Sequence, residues 1–126
     1  MKPVPETKLE CISSSGSTFK LRCRVFNAGF SPFKIQYITL KFFLRQMPEP
    51  LYADIIKADK YLRPGDEYIN DEIAFDVRQM TAPELRSLDT VKDIYLRFHL
   101  NLLDLEHTIY RWPKDPAQDR ILFIVR

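Results

Sequence analysis

From Phe19 onward apolar and polar residues alternate, with Phe19, Leu21, Cys23 and Val25 on the odd positions and Lys20, Arg22 and Arg24 on the even ones. Successive side chains of a strand point to opposite faces, so a period of two predicts a β-strand with one buried side. The alternation stops across Asn27, Gly29 and Pro32. It restarts with Ile38, Leu40, Phe42 and Leu44 on one face and Tyr37, Thr39, Lys41 and Phe43 on the other. Asn and Gly accept positive φ, and Pro fixes φ without offering an N–H, so the strand is expected to end between these arms. Residues 19–44 are the apolar centre of the chain.

The same reading places the other elements. Residues 8–12 form a short strand, expected at a sheet edge, and the SSSGS stretch turns the chain. Pro48 and Pro50 end the second arm, because neither can donate to a ladder. A short strand over 51–57 is followed by a separate apolar contact at Tyr61 and Leu62. Arg63-Pro64-Gly65-Asp66 is a turn, with Pro and Gly at its central positions. Strands follow over 68–77, with Ile73, Phe75 and Val77 on one face, and over 93–103, with Ile94, Leu96, Phe98, Leu100 and Leu102 inward. The chain returns over 108–112 and closes with a strand over 121–125. Thr81 and Glu84 have the spacing of a capping box, which predicts one short helix over 82–88 with Leu85 and Leu88 on its inner side. Seven to eight short strands with Pro- and Gly-marked turns and one short helix imply an all-β fold, an antiparallel β-sandwich.

Length and composition fit that expectation. The 126 residues suit one domain, with residues 1–7 a loose lead-in, and 45% hydrophobic content favours a packed core over disorder. The apolar runs are too short to span a bilayer, and the N-terminus lacks the apolar stretch of a signal peptide. The net charge of +2 conceals an asymmetry. Lys20, Arg22, Arg24, Lys34, Lys41 and Arg45 fall between Cys11 and Pro48 with no acid among them, whereas Glu49 to Asp119 holds 15 acids against 9 bases. Two explanations follow: neighbouring strands neutralise each other, or a basic face meets an acidic partner or nucleic acid.

A hairpin centred between Ser15 and Gly16 would set Cys23 opposite Lys8 and Cys11 opposite Lys20. That register leaves the sulfurs about 10 Å apart along the strand, beyond disulfide reach. Cys23 is expected to pack as a small hydrophobe. Free thiols favour a reducing compartment, hence a cytoplasmic setting.

The stretch LRCRVFNAGFSPFKIQYITL, a Cys on an early strand followed by N-x-G, resembles immunoglobulin-like β-sandwich domains. Together with the later LRPGDEY it is similar to CARDB and fibronectin-like modules and to water-stress (WHy/LEA-type) domains. The resemblance covers residues 19–77 and implies an immunoglobulin-like antiparallel sandwich. The chain departs from true immunoglobulin domains at YLRFHL, which lacks the second Cys of the inter-sheet disulfide.

The residues suggest no catalytic set, metal site or cofactor. His99 and His107 have no evident nucleophile partner, and neither C-x-x-C nor H-x-x-x-H occurs. Asp66, Glu67, Asp71 and Glu72 form the densest acidic cluster. Calcium needs six to eight oxygens around one point, and a solvated strand end is the simpler explanation. Exposed aromatics beside bases make a better case for recognition. The expected function is a non-catalytic protein-binding or assembly module, through a protein partner or self-association, with Arg22, Arg24, Phe26, Phe30, Lys41, Phe43 and Arg45 as candidate partner-binding residues. The alternative is a nucleic-acid-binding accessory domain using the basic face of residues 20–45.

Overall fold

The structure is a computed structural model that describes residues 2–15, 18–44, 49–50, 52–76, 94–114 and 120–122. Its strands are β1 (Pro5–Ser15), β2 (Thr18–Asn27), β3 (Phe33–Leu44), β4 (Tyr52–Leu62), β5 (Glu67–Asp76), β6 (Ile94–Leu103), β7 (Ile109–Trp112) and β8 (Arg120–Leu122). They form two antiparallel sheets, one three-stranded in the order β1-β2-β5 and one five-stranded in the order β4-β3-β6-β7, with β8 also on β6. Because β3 pairs with β6 from Ile94 to Leu103, β7 and β8 share the opposite edge of β6. The described residues include no helix. The helix expected over 82–88 lies outside them, as do Arg45, Val77 and residues 123–125.

The alternation in the sequence translates directly into burial. Phe19, Leu21, Cys23 and Val25 of β2 are buried, as are Leu96, Phe98, Leu100 and Leu102 of β6. The sheets meet through one apolar cluster, in which Phe42 of β3 packs on Phe75 of β5 with ring centroids 4.4 Å apart. Phe75 also stacks on Phe19 at 5.4 Å. The two arms of residues 19–44 belong to different sheets, and residues 28–32 carry the chain from one sheet to the other.

Bulges account for the breaks in phase. On β3 the inward residues are Phe33 and Ile35, then Ile38, Leu40 and Phe42. Against β6 the register shifts between Ile35 and Tyr37, where β3 carries one extra residue. β4 answers with an extra residue of its own between Lys57 and Lys60, where Asp59 takes a φ of 50°. Asp is among the few residues that enter the left-handed region at modest cost, and its carboxylate is 2.6 Å from Lys34 Nζ. β4 is therefore one strand through Leu62, where the sequence suggests a strand over 51–57 and a separate contact. The bulge disrupts the period of two that reveals strands.

Asn27 joins the ends of several elements. Its Nδ2 donates to the carbonyls of Ser31 and Leu62, each at 3.0 Å. Its Oδ1 accepts from Gly29 N at 3.0 Å. Its main chain donates to Asp66 O at 3.0 Å and accepts from Gly65 N at 2.9 Å. The Pro64-Gly65 turn closes through Asp66 N to Arg63 O at 2.9 Å, with Gly65 at φ 87°, so here glycine serves the positive φ the sequence suggests. Gly29 serves a different need: a Cβ there would lie 3.2 Å from the Val4 side chain.

The β1–β2 hairpin pairs Ser15 with Thr18, and a register shift between Cys11 and Ser13 sets Cys11 opposite Leu21 and Cys23 opposite Leu9. The expected partners Lys20 and Lys8 are displaced because the turn pairs Ser15 with Thr18, two positions off the expected register, and the bulge recovers only one of the two. Both thiols are free, Cys11 exposed and Cys23 buried, and burial pushes the Cys23 thiol up to about 12. A thiol held protonated reacts slowly. Titration with a thiol reagent is expected to modify one cysteine, Cys11, in the native protein and both in denaturant.

Candidate functional site

Directly opposed residues of an antiparallel pair share a face, so the registers define both outer surfaces. On the three-stranded sheet one row holds Glu6, Phe26 and Glu67, and the next Lys8, Arg24 and Ile69. Glu10 then opposes Arg22. Arg22 on β2 thus stands between acids on β1 and β5, and Arg24 reaches one acid on β5. Arg22 lies 3.9 Å from both Glu10 and Asp71, and Arg24 lies 3.7 Å from Glu67. Such surface pairs contribute about 0–1 kcal/mol each, but they cancel the local charge. The first half of the sequence is acid-free only along the chain; across the sheet Arg22 and Arg24 meet acids. Phe26 lies between two glutamates rather than among bases.

The outer surface of the five-stranded sheet has the opposite character. One row holds Ala53, Lys41 and Arg97, the next Ile55, Thr39 and His99, and the third Lys57, Tyr37, Asn101 and Arg111. These three rows contain no carboxylate. Ile55 is 65% exposed and Tyr37 39%. The Lys34–Asp59 pair borders the surface at one end. Phe43 occupies an outward register position yet is only 6% exposed, with the Arg97 guanidinium 5.6 Å from its ring centroid.

The candidate residues therefore divide. Arg22, Arg24 and Phe26 lie on the neutralised sheet, and Lys41 and Phe43 on the basic one. Phe30 projects from the connection between the sheets, 89% exposed, and Arg45 lies outside the described residues. The seven do not form one surface, because residues 28–32 cross between layers. Lys57, Arg97 and Arg111 join Lys41 only through strand pairing, which no local motif signals.

The acidic cluster does not converge on a point. Asp66 Oδ2 accepts from Arg63 N at 2.9 Å, while Glu67 and Asp71 face Arg24 and Arg22. No group of three His, Cys, Asp or Glu suited to a metal ion occurs among the described residues, nor does a helix long and apolar enough to cross a membrane.

The β6–β7 turn is organised by Asp104, whose Oδ1 accepts from Thr108 N at 2.8 Å and Glu106 N at 2.9 Å. His107 completes the turn at φ 62°. The Thr108 amide leads in holding the Asp104 carboxyl below its ordinary value of 3.8. Hydrogen bonding to Lys34 does the same for Asp59. A depressed carboxylate contributes stability above its unfolded-state value, and this is lost as pH falls through the folded one. Melting temperature is expected to fall below about pH 4, with a shallower fall in the Asp104→Asn variant.

No protein-family model and no curated protein sequence matches the chain. Solved structures do match in fold. A Bordetella pertussis protein provisionally named ApaA superposes with a TM-score of 0.59 at 10% identity, covering 98% of this chain and 93% of that one. An Archaeoglobus fulgidus protein gives 0.52 at 6% identity, covering 99% and 98%. The sporulation control protein Spo0M of Bacillus subtilis gives 0.55 at 14% identity, covering 95% of this chain and 48% of Spo0M. At such identities the likeness is one of fold alone.

Proposed function

We propose that the protein is a non-catalytic binding module of the immunoglobulin-like, fibronectin-like kind, which engages an acidic protein surface through the outer face of its five-stranded sheet. The strand order supports the fold reading: β1, β2 and β5 form one layer, and the fourth strand joins the third in the other. In constant-type immunoglobulin domains the fourth strand lies in the first layer. The single observation that carries the function is the charge difference between the faces. One outer surface pairs Arg22 and Arg24 with acids of the neighbouring strands, and the other presents Lys41, Lys57, Arg97 and Arg111 across three rows whose described residues include no carboxylate. Basic surfaces of this kind steer and orient acidic partners.

The nucleic-acid alternative is weaker than the sequence implies. Two of its bases, Arg22 and Arg24, are engaged by acids, and Phe43 is too buried to stack on a base. We expect single-stranded DNA to show no retarded complex in low salt. Capture from an extract of the source organism is expected to be lost in Lys41→Glu/Lys57→Glu and retained in Arg22→Gln/Arg24→Gln. Equal capture by wild type and the Lys41→Glu/Lys57→Glu variant would overturn the proposal.

A further inference from the structure

A sheet edge carries unpaired N–H and C=O groups, which make it a template for a further strand. Among the described residues the three-stranded sheet ends in β1 and β5, and the five-stranded sheet in β4 and in β7 with β8. All but β1 suit pairing with their own copy poorly. β5 carries Glu67, Asp71, Glu72 and Asp76 and no base, so a second copy would be repelled. β4 is broken near its middle by the bulge at Asp59. β7 and β8 have only four and three residues.

β1 differs in both length and charge. It has 11 residues, and its outward positions alternate in sign through Glu6, Lys8 and Glu10. Two copies paired antiparallel about a two-fold axis set one residue against itself, and opposed residues share a face. An axis at Lys8 or Glu10 would bring like charges together. An axis at Leu9 instead sets Lys8 against Glu10 of the second copy, and Glu10 against its Lys8. An axis at Thr7 would match Glu6 with Lys8, but the paired span would run only from Pro5 to Leu9. The axis at Leu9 lets β1 pair from Pro5 to Ser13.

The charges are available for this pairing. The Lys8 side chain is 67% exposed, and the Glu10 oxygens lie 3.8 Å from Lys8 and 3.9 Å from Arg22, beyond hydrogen-bond length. On the other face Leu9, half-buried against the core cluster, would meet its own copy across the axis. A lysine and a bulge are common protections of an edge. Here the lysine would face a glutamate, and the bulge lies beyond Cys11, outside the regular span from Thr7.

We infer that β1 is a self-association edge, through which two copies of this chain join antiparallel about Leu9 into one continuous sheet. The inference uses no residue of the basic face, so its outcome is independent of the proposed function.

Sedimentation velocity over a range of concentrations is expected to show a monomer–dimer equilibrium. Lys8→Glu and Glu10→Lys should each weaken it at least about tenfold, because each sets two like pairs across the axis. An equimolar mixture of the two variants should recover the dimer to within about threefold of wild type, since every opposed pair is then opposite in charge. Melting curves of the dilute variants, expected to overlay wild type, show that both are folded. Oxidation reads the register without either variant. The axis sets Thr7 against the exposed Cys11 of the second copy, so Thr7→Cys should form a disulfide-linked dimer. Wild type should form none, because its two Cys11 thiols would lie about 13 Å apart along the strands. A wild type that stays monomeric at millimolar concentration, single variants that dimerise as it does, or a mixture no stronger than its components would overturn the inference. So would a Thr7→Cys protein that yields no covalent dimer.

Discussion

Replacement of Asn27 by Ala is expected to lower stability by about 2–4 kcal/mol, and replacement by Asp by more at neutral pH. The side chain makes three hydrogen bonds at one buried point, two of them donated to carbonyls. Removing it leaves the Leu62 carbonyl and the Gly29 amide without that partner, and each such group costs roughly 1–3 kcal/mol when buried. Asp is nearly isosteric, but it would turn a carboxylate toward the carbonyls of Ser31 and Leu62. Its deficit should shrink as pH falls and the carboxyl protonates, whereas the Ala deficit should not. For a domain of this size the Ala variant should melt about 6–20 °C lower. Calorimetry at two pH values separates the variants, and an Asp variant as stable as wild type at neutral pH would refute the donor assignment.

Phe42→Ala is expected to cost about 3–5 kcal/mol, the range for deleting a buried aromatic. Phe42 is buried and meets Phe75 across the layers, while Phe75 stacks on Phe19 within its own sheet. The deletion therefore removes a ring contact between the two sheets. Out of a total typically 5–15 kcal/mol, that loss leaves a folded but much weakened protein. Phe42→Leu, which keeps most of the volume, should cost under about 1.5 kcal/mol. Urea denaturation with an unchanged slope would assign the difference to native-state packing.

These two residues also show how far the sequence could be read. Phe42 belongs to a clean alternation, and its burial follows from the period of two. So do the inward rows of β2 and β6, where no bulge intervenes. The second arm hides its first half, because the extra residue between Ile35 and Tyr37 moves the inward set from odd to even positions. The continuity of β4 is concealed in the same way by the extra residue near Asp59. Asn27 was legible as a place where a strand ends, but its cause was not. The signal suggested positive φ, whereas the residue acts through hydrogen bonds, one of them to Leu62, 35 positions away.

The basic face was legible only in part. Local charge counting found Lys41 but grouped it with Arg22 and Arg24, which strand pairing sets on the other layer against Glu10, Asp71 and Glu67. Lys57, Arg97 and Arg111 reach Lys41 from three other strands, and only the sheet order brings them together. Charge composition along a chain is a property of neighbours in sequence; a binding face is a property of neighbours across strands.

Lysine footprinting tests the central claim most directly, by acylating the protein alone and in complex with its captured partner. The surface on the five-stranded sheet carries Lys41 and Lys57, and that on the three-stranded sheet carries Lys8 and Lys20. Protection of Lys41 and Lys57 on binding, with Lys8 and Lys20 modified as before, is the predicted result. Protection of Lys8 and Lys20 with Lys41 and Lys57 unchanged would contradict it.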